Sequence, residues 1–254
     1  MSTVTALVTG AGGGIGRTLV ASLLAEGTQV VAADSQGLQH LHDANPQTPL
    51  HTRQLDVANP TAVAEVVENI ESCIGPLTYL VNAAGIMRSG PAIELNVEQW
   101  QQSLAVNASG VFYVSREVGR RMADRGQGSI VTIASNAAFT PRYGMIAYSA
   151  SKAAAEMVTK TLGLELASRG VRCNVVAPGS TDTPMLTGLW DDHDAAKAAS
   201  VDGMPSQFRL GIPLGKVAQP EDIAQAVQFL LGPAASHLTM HRLTVDGGAT
   251  LGAA

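Results

Sequence analysis

The chain has 254 residues, of which 46% are hydrophobic and only 15% charged, a composition that supports a sizeable core and argues against disorder. The formal net charge of −5 argues against the basic surface of a nucleic-acid-binding protein. No apolar run approaches the ~18 residues of a membrane span, and the first residues lack a signal-peptide pattern. We therefore expect a cytoplasmic protein that binds neither nucleic acid nor membrane.

Short β-branched apolar runs alternate with longer helical patterns. The predicted strands are Thr5–Thr9, Gln29–Asp34, His51–Asp56, Tyr79–Asn82, Ser129–Ala134, Arg172–Ala177 and Arg242–Asp246. The predicted helices are Ile15–Glu26, Pro60–Cys73, Val97–Asp124, Tyr148–Ser168 and Pro220–Leu231. Strands that are apolar on both faces and separated by helices indicate a parallel sheet covered on both sides. We predict an α/β fold, a single Rossmann-like, doubly wound domain over residues 1–254 with about seven parallel strands.

Two further features complete the outline of the chain. The long irregular stretch at about 180–216 is predicted to be a lid over a binding site, because such connections are uncommon inside compact domains. The two cysteines, Cys73 and Cys173, lie in apolar stretches, so we expect two buried free thiols. We expect no metal site.

A glycine-rich turn follows the first strand and opens the first helix. Gly10, Gly14 and Gly16 have the spacing G-x-x-x-G-x-G, which permits a tight turn and a close approach of backbone N–H groups to a pyrophosphate. Asp34 ends the second strand, where a carboxylate can bind both hydroxyls of an adenosine ribose and repel a 2′-phosphate. An ordinary strand-end turn residue is the alternative for Asp34. This combination predicts NAD as the cofactor.

Two later strand ends fit the same crevice, because ligands bind at the carboxyl ends of strands in open α/β sheets. Asp56 follows the third strand and could accept the adenine amino group; alternatively it caps the helix that starts near Pro60. Asn82, Ala84 and Gly85 in "NAAG" are small enough to let a nucleotide lie against the backbone.

The segment "YSASK" sets Tyr148 and Lys152 one helical turn apart, thirteen residues after Ser135. An incidental pair on an exposed helix face is the alternative. The motifs "TGAGGGIG", "NAAG", Asn107 in "VNASG", Ser135, "YSASK" and "APGSTDT" together resemble the short-chain dehydrogenase/reductase family over the whole chain. A free phenol titrates near ~10, and a neighbouring lysine charge favours its ionised form.

The resemblance implies a role for each motif. Tyr148 would be the general acid/base, Lys152 its charge partner and nicotinamide-ribose ligand, Ser135 the hydrogen-bond donor to the substrate oxygen, and Asn107 the holder of a relay water. The implied cofactor residues are Gly10, Gly14, Ile15, Gly16, Asp34, Asp56, Val57, Asn82, Ala84, Gly85, Tyr148, Lys152, Pro178, Gly179, Thr181 and Thr183. The family also uses its two long apolar-faced helices in a four-helix subunit interface, so we expect a homotetramer.

Several segments, among them "GIMRSG", "TPRYGM" and "GGATLGA", resemble a branch of the family that oxidises a dihydrodiol of benzoate to a catechol with NAD during catechol-siderophore synthesis. A carboxylate substrate needs a cation in a dry pocket. Arg142 and Arg88 are the candidates, with Arg142 preferred because catalytic residues flank its loop. Met145, Met185 and Leu186 would form an apolar wall. The alternatives are a 3-oxoacyl-carrier-protein reductase, a sugar or cyclic alcohol dehydrogenase, or a non-catalytic NAD-binding regulatory protein.

Overall fold

A computed structural model describes residues 4–44, 48–188 and 192–253 and contains one seven-stranded parallel sheet in the order β3-β2-β1-β4-β5-β6-β7. The strands are β1 Thr5–Thr9, β2 Gln29–Asp34, β3 Leu50–Gln54, β4 Leu77–Asn82, β5 Gly128–Ile133, β6 Val171–Pro178 and β7 Arg242–Val245. The chain order reverses between β1 and β4, because β2 and β3 lie on one side of β1 and β4 to β7 on the other. The predicted α/β class and parallel sheet are confirmed.

Helices connect the strands. They are α1 Gly14–Ala25, α2 Gln39–Ala44, α3 Pro60–Cys73, α4 Val97–Leu104, α5 Gly110–Arg125, α6 Ile146–Leu166, α7 Pro184–Thr187, α8 His193–Asp202 and α9 Pro220–Leu231. Local sequence explains several starts and stops. Asn59 caps α3 ahead of Pro60, and Asn96 forms a capping box with Gln99 at the start of α4. Gly126 ends α5 with φ 72°, a left-handed conformation that glycine adopts without strain.

Two apolar layers cover the sheet. Leu19, Leu23 and Val227 of α1 and α9 pack on one face of β1 and β2, and Val67, Val118 and Met122 of α3 and α5 pack on the other. Alternate residues of a strand point to opposite faces, so β1 gives Ala6 and Val8 to the first layer and Leu7 to the second. Burial on both faces explains why the strands are uniformly apolar.

The long helix predicted at Val97–Asp124 is interrupted. Residues Ala105–Ser109 form a single π-helical turn between α4 and α5, and Asn107 lies inside it, fully buried. Such turns inside α-helices are frequent at functional sites.

Other differences from the sequence predictions are smaller. The third strand ends at Gln54 rather than Asp56, so Asp56 lies in the following loop. The short helix α2 was not predicted. Cys173 is buried as expected, but Cys73 is exposed at the last residue of α3. Across the described ranges, no helix is long and apolar enough to cross a membrane.

Candidate active site

Two adjoining cavities open at the carboxyl ends of the strands, on either side of the point where the strand order reverses. The outer cavity, of about 500 Å³, lies over β1 and β2. The inner cavity, of about 160 Å³, lies over β5 and β6 and extends under the segment 180–216. Both are lined by Ile15, Ala83, Gly85, Thr183 and Met185, so they form one continuous crevice.

The predicted cofactor residues divide between the two cavities. Ten line the outer cavity, namely Gly10, Gly14, Ile15, Gly16, Asp34, Asp56, Val57, Ala84, Gly85 and Thr183. Tyr148, Lys152, Pro178, Gly179 and Thr181 line the inner cavity. Asn82 lines neither of these two, because its buried amide donates to Ser115 Oγ at 2.9 Å and Thr132 Oγ1 at 3.2 Å. These bonds tie β4 to α5 and β5 beneath the crevice.

The glycine-rich turn has the space and the free donors that a phosphate group needs. Gly10 has φ 68°, and a Cβ atom there would collide with the backbone N of Ala84. A Cβ on Gly14 would lie 2.8 Å from Thr183 Cγ2. No side chain of the described residues caps the start of α1, and the first residues of this helix, Gly14, Ile15 and Gly16, line the outer cavity. A helix N-terminus in this state binds anions such as a pyrophosphate.

Asp34 lies at the rim of the outer cavity and also stabilises the glycine-rich turn. Its Oδ2 accepts a hydrogen bond from Gly12 N at 2.9 Å, and its Oδ1 accepts one from Gln36 N at 3.4 Å. The carboxylate therefore has a structural role beside the predicted ribose contact. Arg17, which the sequence analysis did not single out, lines the same cavity and donates through Nε to Gly12 O at 2.7 Å.

Asp56 lines the outer cavity without capping a helix. Its Oδ1 accepts a hydrogen bond from Ala58 N at 2.9 Å, a local turn in the loop after β3. The cap of α3 is Asn59, whose Oδ1 accepts from Thr61 N and Ala62 N at 3.1 Å. The alternative of Asp56 as the helix cap is therefore wrong.

Ser135, Tyr148 and Lys152 converge on the inner cavity. Ser135 follows β5, its Oγ accepts a hydrogen bond from Ala137 N at 3.1 Å, and its hydroxyl lies near enough to the Tyr148 phenol to lower the pKa of that phenol. Lys152, one turn along α6 from Tyr148, donates from Nζ to the backbone oxygen of Ile133 at 2.8 Å. The incidental exposed pair is excluded, because Tyr148 and Lys152 are both buried.

Asn107 lies behind the inner cavity rather than in its lining. Its Oδ1 accepts from Ile86 N at 2.8 Å, and its Nδ2 donates to Ile86 O and Ser151 Oγ, both at 2.9 Å. A Cβ on Gly85 would lie 3.1 Å from Lys152 Nζ and 3.3 Å from Asn107 Oδ1, so glycine leaves room for both side chains. The π-helical turn brings Asn107 into this position.

Burial dominates the protonation of the Tyr148 and Lys152 pair. Burial raises the pKa of the Tyr148 phenol, and the hydrogen bond with Ser135 offsets part of that rise. Burial also lowers the pKa of the Lys152 ammonium to about 8. The lysine nitrogen lies 5.9 Å from the centroid of the tyrosine ring. Burial therefore favours the neutral phenol, and the expected lowering of its pKa by Lys152 is not found.

The predicted substrate residues separate into two groups. Arg142, Met145, Met185 and Leu186 line the inner cavity. Arg88 is exposed outside it, where its Nη2 donates to Gln102 Oε1 at 3.4 Å. The sequence analysis missed Arg209, a half-buried arginine of the inner cavity that donates to Ser180 Oγ at 2.7 Å. It is the one arginine between residues 180 and 216, which could have identified it.

The fold and the Ser135–Tyr148–Lys152 cluster agree with a comparison against known families. A family model described as short chain dehydrogenase matches residues 4–194. The chain belongs to the short-chain dehydrogenase family, and it is an oxidoreductase. The expected family is thus confirmed.

Individual relatives narrow the comparison. The chain is 45% identical over 97% of its length to 2,3-dihydro-2,3-dihydroxybenzoate dehydrogenase of Bacillus subtilis (strain 168), covering 96% of that protein. It is 46% identical to the enzyme of the same name from Escherichia coli (strain K12), with 97% and 96% of the two chains covered. Among solved structures, it is similar to a gluconate 5-dehydrogenase from Burkholderia cenocepacia J2315 in complex with NADP and tartrate. That match has a TM-score of 0.89 and 30% identity, and covers 100% of this chain and 97% of the other.

Proposed function

We propose that this protein oxidises 2,3-dihydro-2,3-dihydroxybenzoate to 2,3-dihydroxybenzoate with NAD, as a step of siderophore biosynthesis. The names of the two bacterial relatives support the substrate. The observation that carries the proposal is the composition of the inner cavity. It combines a buried Tyr148 and Ser135 pair with a half-buried Arg142, so a proton acceptor and an anion-binding group face one small space.

Tyr148 is the general base of the proposed reaction. Its phenolic oxygen takes the proton of the C3 hydroxyl, and Ser135 donates a hydrogen bond to the same substrate oxygen while charge develops on it. Lys152 is fixed by its bond to Ile133 O, so its ammonium stays beside the phenol. When bound, oxidised NAD would supply the hydride acceptor.

The outer cavity fits a dinucleotide, and Asp34 supports NAD. The glycine-rich turn leaves backbone donors free at the start of α1, which suits the pyrophosphate. The Asp34 carboxylate at the rim can accept ribose hydroxyls and repels a 2′-phosphate. Arg17 in the same lining and the NADP bound to the gluconate 5-dehydrogenase relative are the observations that favour NADP. We favour NAD because Asp34 places a negative charge in the lining of the outer cavity, which disfavours a 2′-phosphate.

The substrate carboxylate pairs with Arg142 in this proposal, and Met145, Met185 and Leu186 contact the ring. Burial lowers the pKa of the Arg142 guanidinium because it disfavours the charged form. The negative charge of Asp246 raises that pKa and offsets part of the effect. Among the described residues the guanidinium has no hydrogen-bond partner, so its donors are available. Arg88 is not assigned this role, because its exposed side chain lies outside the cavity.

The remaining chemistry follows from the substrate. Loss of hydride from C3 gives a ketone next to C2, which still carries a hydrogen and a hydroxyl. Loss of that C2 proton and enolisation of the ketone give the catechol. Aromatisation makes the overall reaction effectively one-way, so net reduction of the product is not expected.

We also propose that four copies of the chain assemble. Phe112 on α5 is 44% exposed, and Met157 and Leu164 on α6 are 62% and 67% exposed. These two helices pack against each other and present apolar side chains outward, as an interface between copies would require. Light scattering should give the mass of a tetramer, and a monomer mass would contradict this assembly.

A substrate panel tests the proposed activity. The enzyme and NAD are incubated with the dihydrodiol carboxylate, a cyclohexadiene diol without a carboxylate and gluconate, and NADH formation is followed. A separate assay measures oxidation of NADPH with a 3-oxoacyl thioester. The dihydrodiol carboxylate should give by far the highest kcat/KM, and 2,3-dihydroxybenzoate should accumulate in step with NADH. Preference for gluconate or the thioester would refute the proposed substrate.

A further inference from the structure

The charges around the inner cavity are one-sided. Its charged lining residues are Arg142, Lys152 and Arg209, and no aspartate or glutamate of the described chain lines it. The whole protein, by contrast, has a formal net charge of −5. Lys152 is already bonded to Ile133 O beside Tyr148. The guanidinium groups of Arg142 and Arg209 are therefore the two cations available to bind an anion in this cavity.

The two arginines come from different parts of the chain. Arg142 belongs to the loop between β5 and α6, which also carries Ser135. Arg209 belongs to the segment 180–216, of which Ser180, Met185 and Leu186 also line the cavity. Burial lowers the pKa of Arg209, and the positive charge of Arg142 lowers it further, so the two guanidiniums are close enough to repel each other. An anion between them would remove this repulsion.

No carboxylate among the described residues takes that position. Asp246 is the acid that acts on Arg142 by charge. Its Oδ2 accepts from Asn136 Nδ2 at 3.2 Å and from Thr250 Oγ1 at 2.7 Å, and its Oδ1 accepts from Gly248 N at 3.0 Å. Both oxygens are therefore used in holding the end of β7 to the loop after Ser135. Asp246 thus acts on Arg142 through its charge alone, without a hydrogen bond, so the N–H donors of Arg142 stay available.

Arg209 is held in place by its own backbone. Met204 N donates to Arg209 O at 2.8 Å, and Arg209 N donates to Met204 O at 3.1 Å, which closes a short loop. Phe208, the residue before the arginine, has φ 53°, a left-handed conformation that non-glycine residues seldom adopt. The guanidinium is also anchored through Nη2 to Ser180 Oγ at 2.7 Å. The segment is thus built to present this side chain.

We propose that Arg142 and Arg209 together bind the carboxylate of a substrate the size of an aromatic ring, one guanidinium on each side, and we call this pair the carboxylate seat. Arg209 is the residue of the 180–216 segment that selects rings with a carboxylate. This inference rests on the proposed function for the identity of the substrate. Arginine suits the role because its planar fork binds a carboxylate through two parallel hydrogen bonds. A carboxylate gripped from both sides also fixes the ring orientation relative to Tyr148.

The test measures binding rather than turnover. The enzyme saturated with NADH is titrated calorimetrically with salicylate and 2,3-dihydroxybenzoate, and with the uncharged analogues phenol and catechol. The variants are Arg209→Met, which removes the charge, and Arg209→Lys, which keeps the charge but not the fork. Lys216→Met is the matched control, because it removes one positive charge from an exposed site of the same segment outside the inner cavity.

Arg209→Met should weaken salicylate and 2,3-dihydroxybenzoate roughly tenfold to a hundredfold, as expected for a lost charged hydrogen bond. Phenol and catechol should bind as they do to the unmodified protein. The affinity of Arg209→Lys for the two carboxylates should lie between those of the unmodified protein and Arg209→Met. Lys216→Met should bind all four ligands as the unmodified protein does. NADH affinity and melting temperature, measured for every variant, verify that each is folded. If Arg209→Met weakened the binding of charged and uncharged ligands equally, or weakened the binding of none of them, the carboxylate seat would be refuted.

Turnover of the dihydrodiol separates this proposal from the proposed function. If carboxylate binding depends on Arg209 but the dihydrodiol is not oxidised, the seat is supported and the substrate assignment fails. If the dihydrodiol is oxidised and the KM of Arg209→Met is unchanged, the seat is overturned while the function stands.

Discussion

Asn107 holds Ile86 by both backbone groups: its Oδ1 accepts from Ile86 N at 2.8 Å, and its Nδ2 donates to Ile86 O at 2.9 Å. Ile86 lines the outer cavity, and its neighbour Gly85 borders both cavities. One buried amide thus fixes the loop after β4, which borders the proposed cofactor site. The same Nδ2 reaches Ser151 on α6, so this loop is connected to the helix that carries Tyr148 and Lys152.

Replacing Asn107 should destabilise the protein and weaken cofactor binding together. Asn107→Ala leaves the N–H and C=O of Ile86 without their partner, at a cost of about 1–3 kcal/mol. A change of that size lowers the melting temperature by roughly 2–4 °C per kcal/mol in a domain of this length. Thermal unfolding and NADH titration measure the two effects. The control is Asn69→Ala on the exposed face of α3, and equal effects of the two substitutions would contradict the assigned role.

Cofactor choice should depend on the charge of Asp34. Asp34→Asn keeps an acceptor for Gly12 N but removes the negative charge, and the neighbouring Arg17 then faces a 2′-phosphate unopposed. The preference for NAD over NADP in kcat/KM should fall by about tenfold, which corresponds to roughly 1.4 kcal/mol.

Asp56→Asn is the comparison for this experiment, because it alters a carboxylate of the same cavity near the proposed adenine position. It should affect both cofactors alike. A preference for NADP in the unmodified enzyme, or the same shift in both variants, would rule out Asp34 as the discriminating residue.

The pH dependence of oxidation should respond to Ser135. Oxidation requires the phenolate of Tyr148, so kcat/KM should rise with pH as the phenol ionises. The bond with Ser135 lowers the pKa of Tyr148 against the raising effect of burial. Ser135→Ala removes that bond, so the rise should move to higher pH and the plateau rate should fall roughly 10²-fold. Ser149→Ala is the control, because the buried Ser149 hydroxyl has no hydrogen-bond partner in the described structure. An unshifted profile in Ser135→Ala would contradict the account.

Tyr148→Phe should abolish most of the activity while sparing cofactor binding. The substitution keeps the buried ring and removes the ionisable oxygen, so turnover should fall on the order of 10²–10⁴-fold, as for loss of a general base. NADH affinity, measured by fluorescence, should change little. A variant that kept both its rate and its pH profile would show that another group removes the proton.

The sequence predicted the sheet well because strands depend on local patterns, whereas the catalytic roles of Ser135, Tyr148 and Lys152 were expected from the family resemblance and stay predictions. Apolar runs identified every strand of the described sheet to within two residues at each end. The spacing of Tyr148 and Lys152 predicted that their side chains lie on the same side of one helix, since residues four apart share a helix face. Helix α3 was predicted with its observed bounds, because Asn59 and Pro60 mark its start.

Features that depend on tertiary contacts were not accessible in this way. Asn107 lies in a π-helical turn, and one such turn leaves hardly any trace in the hydrophobic pattern of a long helix. Arg209 reaches the inner cavity only through the closed loop from Met204 and its bond to Ser180, which link distant parts of the chain. Asn82 has the residue type of a ligand contact, but packing turns its amide toward Ser115 and Thr132.

Isotope tracing tests the central claim most directly. The enzyme is given NAD and 2,3-dihydro-2,3-dihydroxybenzoate labelled with deuterium at C3, or in a separate reaction at C2, and the products are analysed by mass spectrometry. The account predicts deuterated NADH and unlabelled 2,3-dihydroxybenzoate from the C3-labelled substrate. It predicts unlabelled NADH from the C2-labelled substrate, whose deuterium passes to solvent as the ring becomes aromatic. Deuterated NADH from the C2 label, or no NADH from either substrate, would contradict the account.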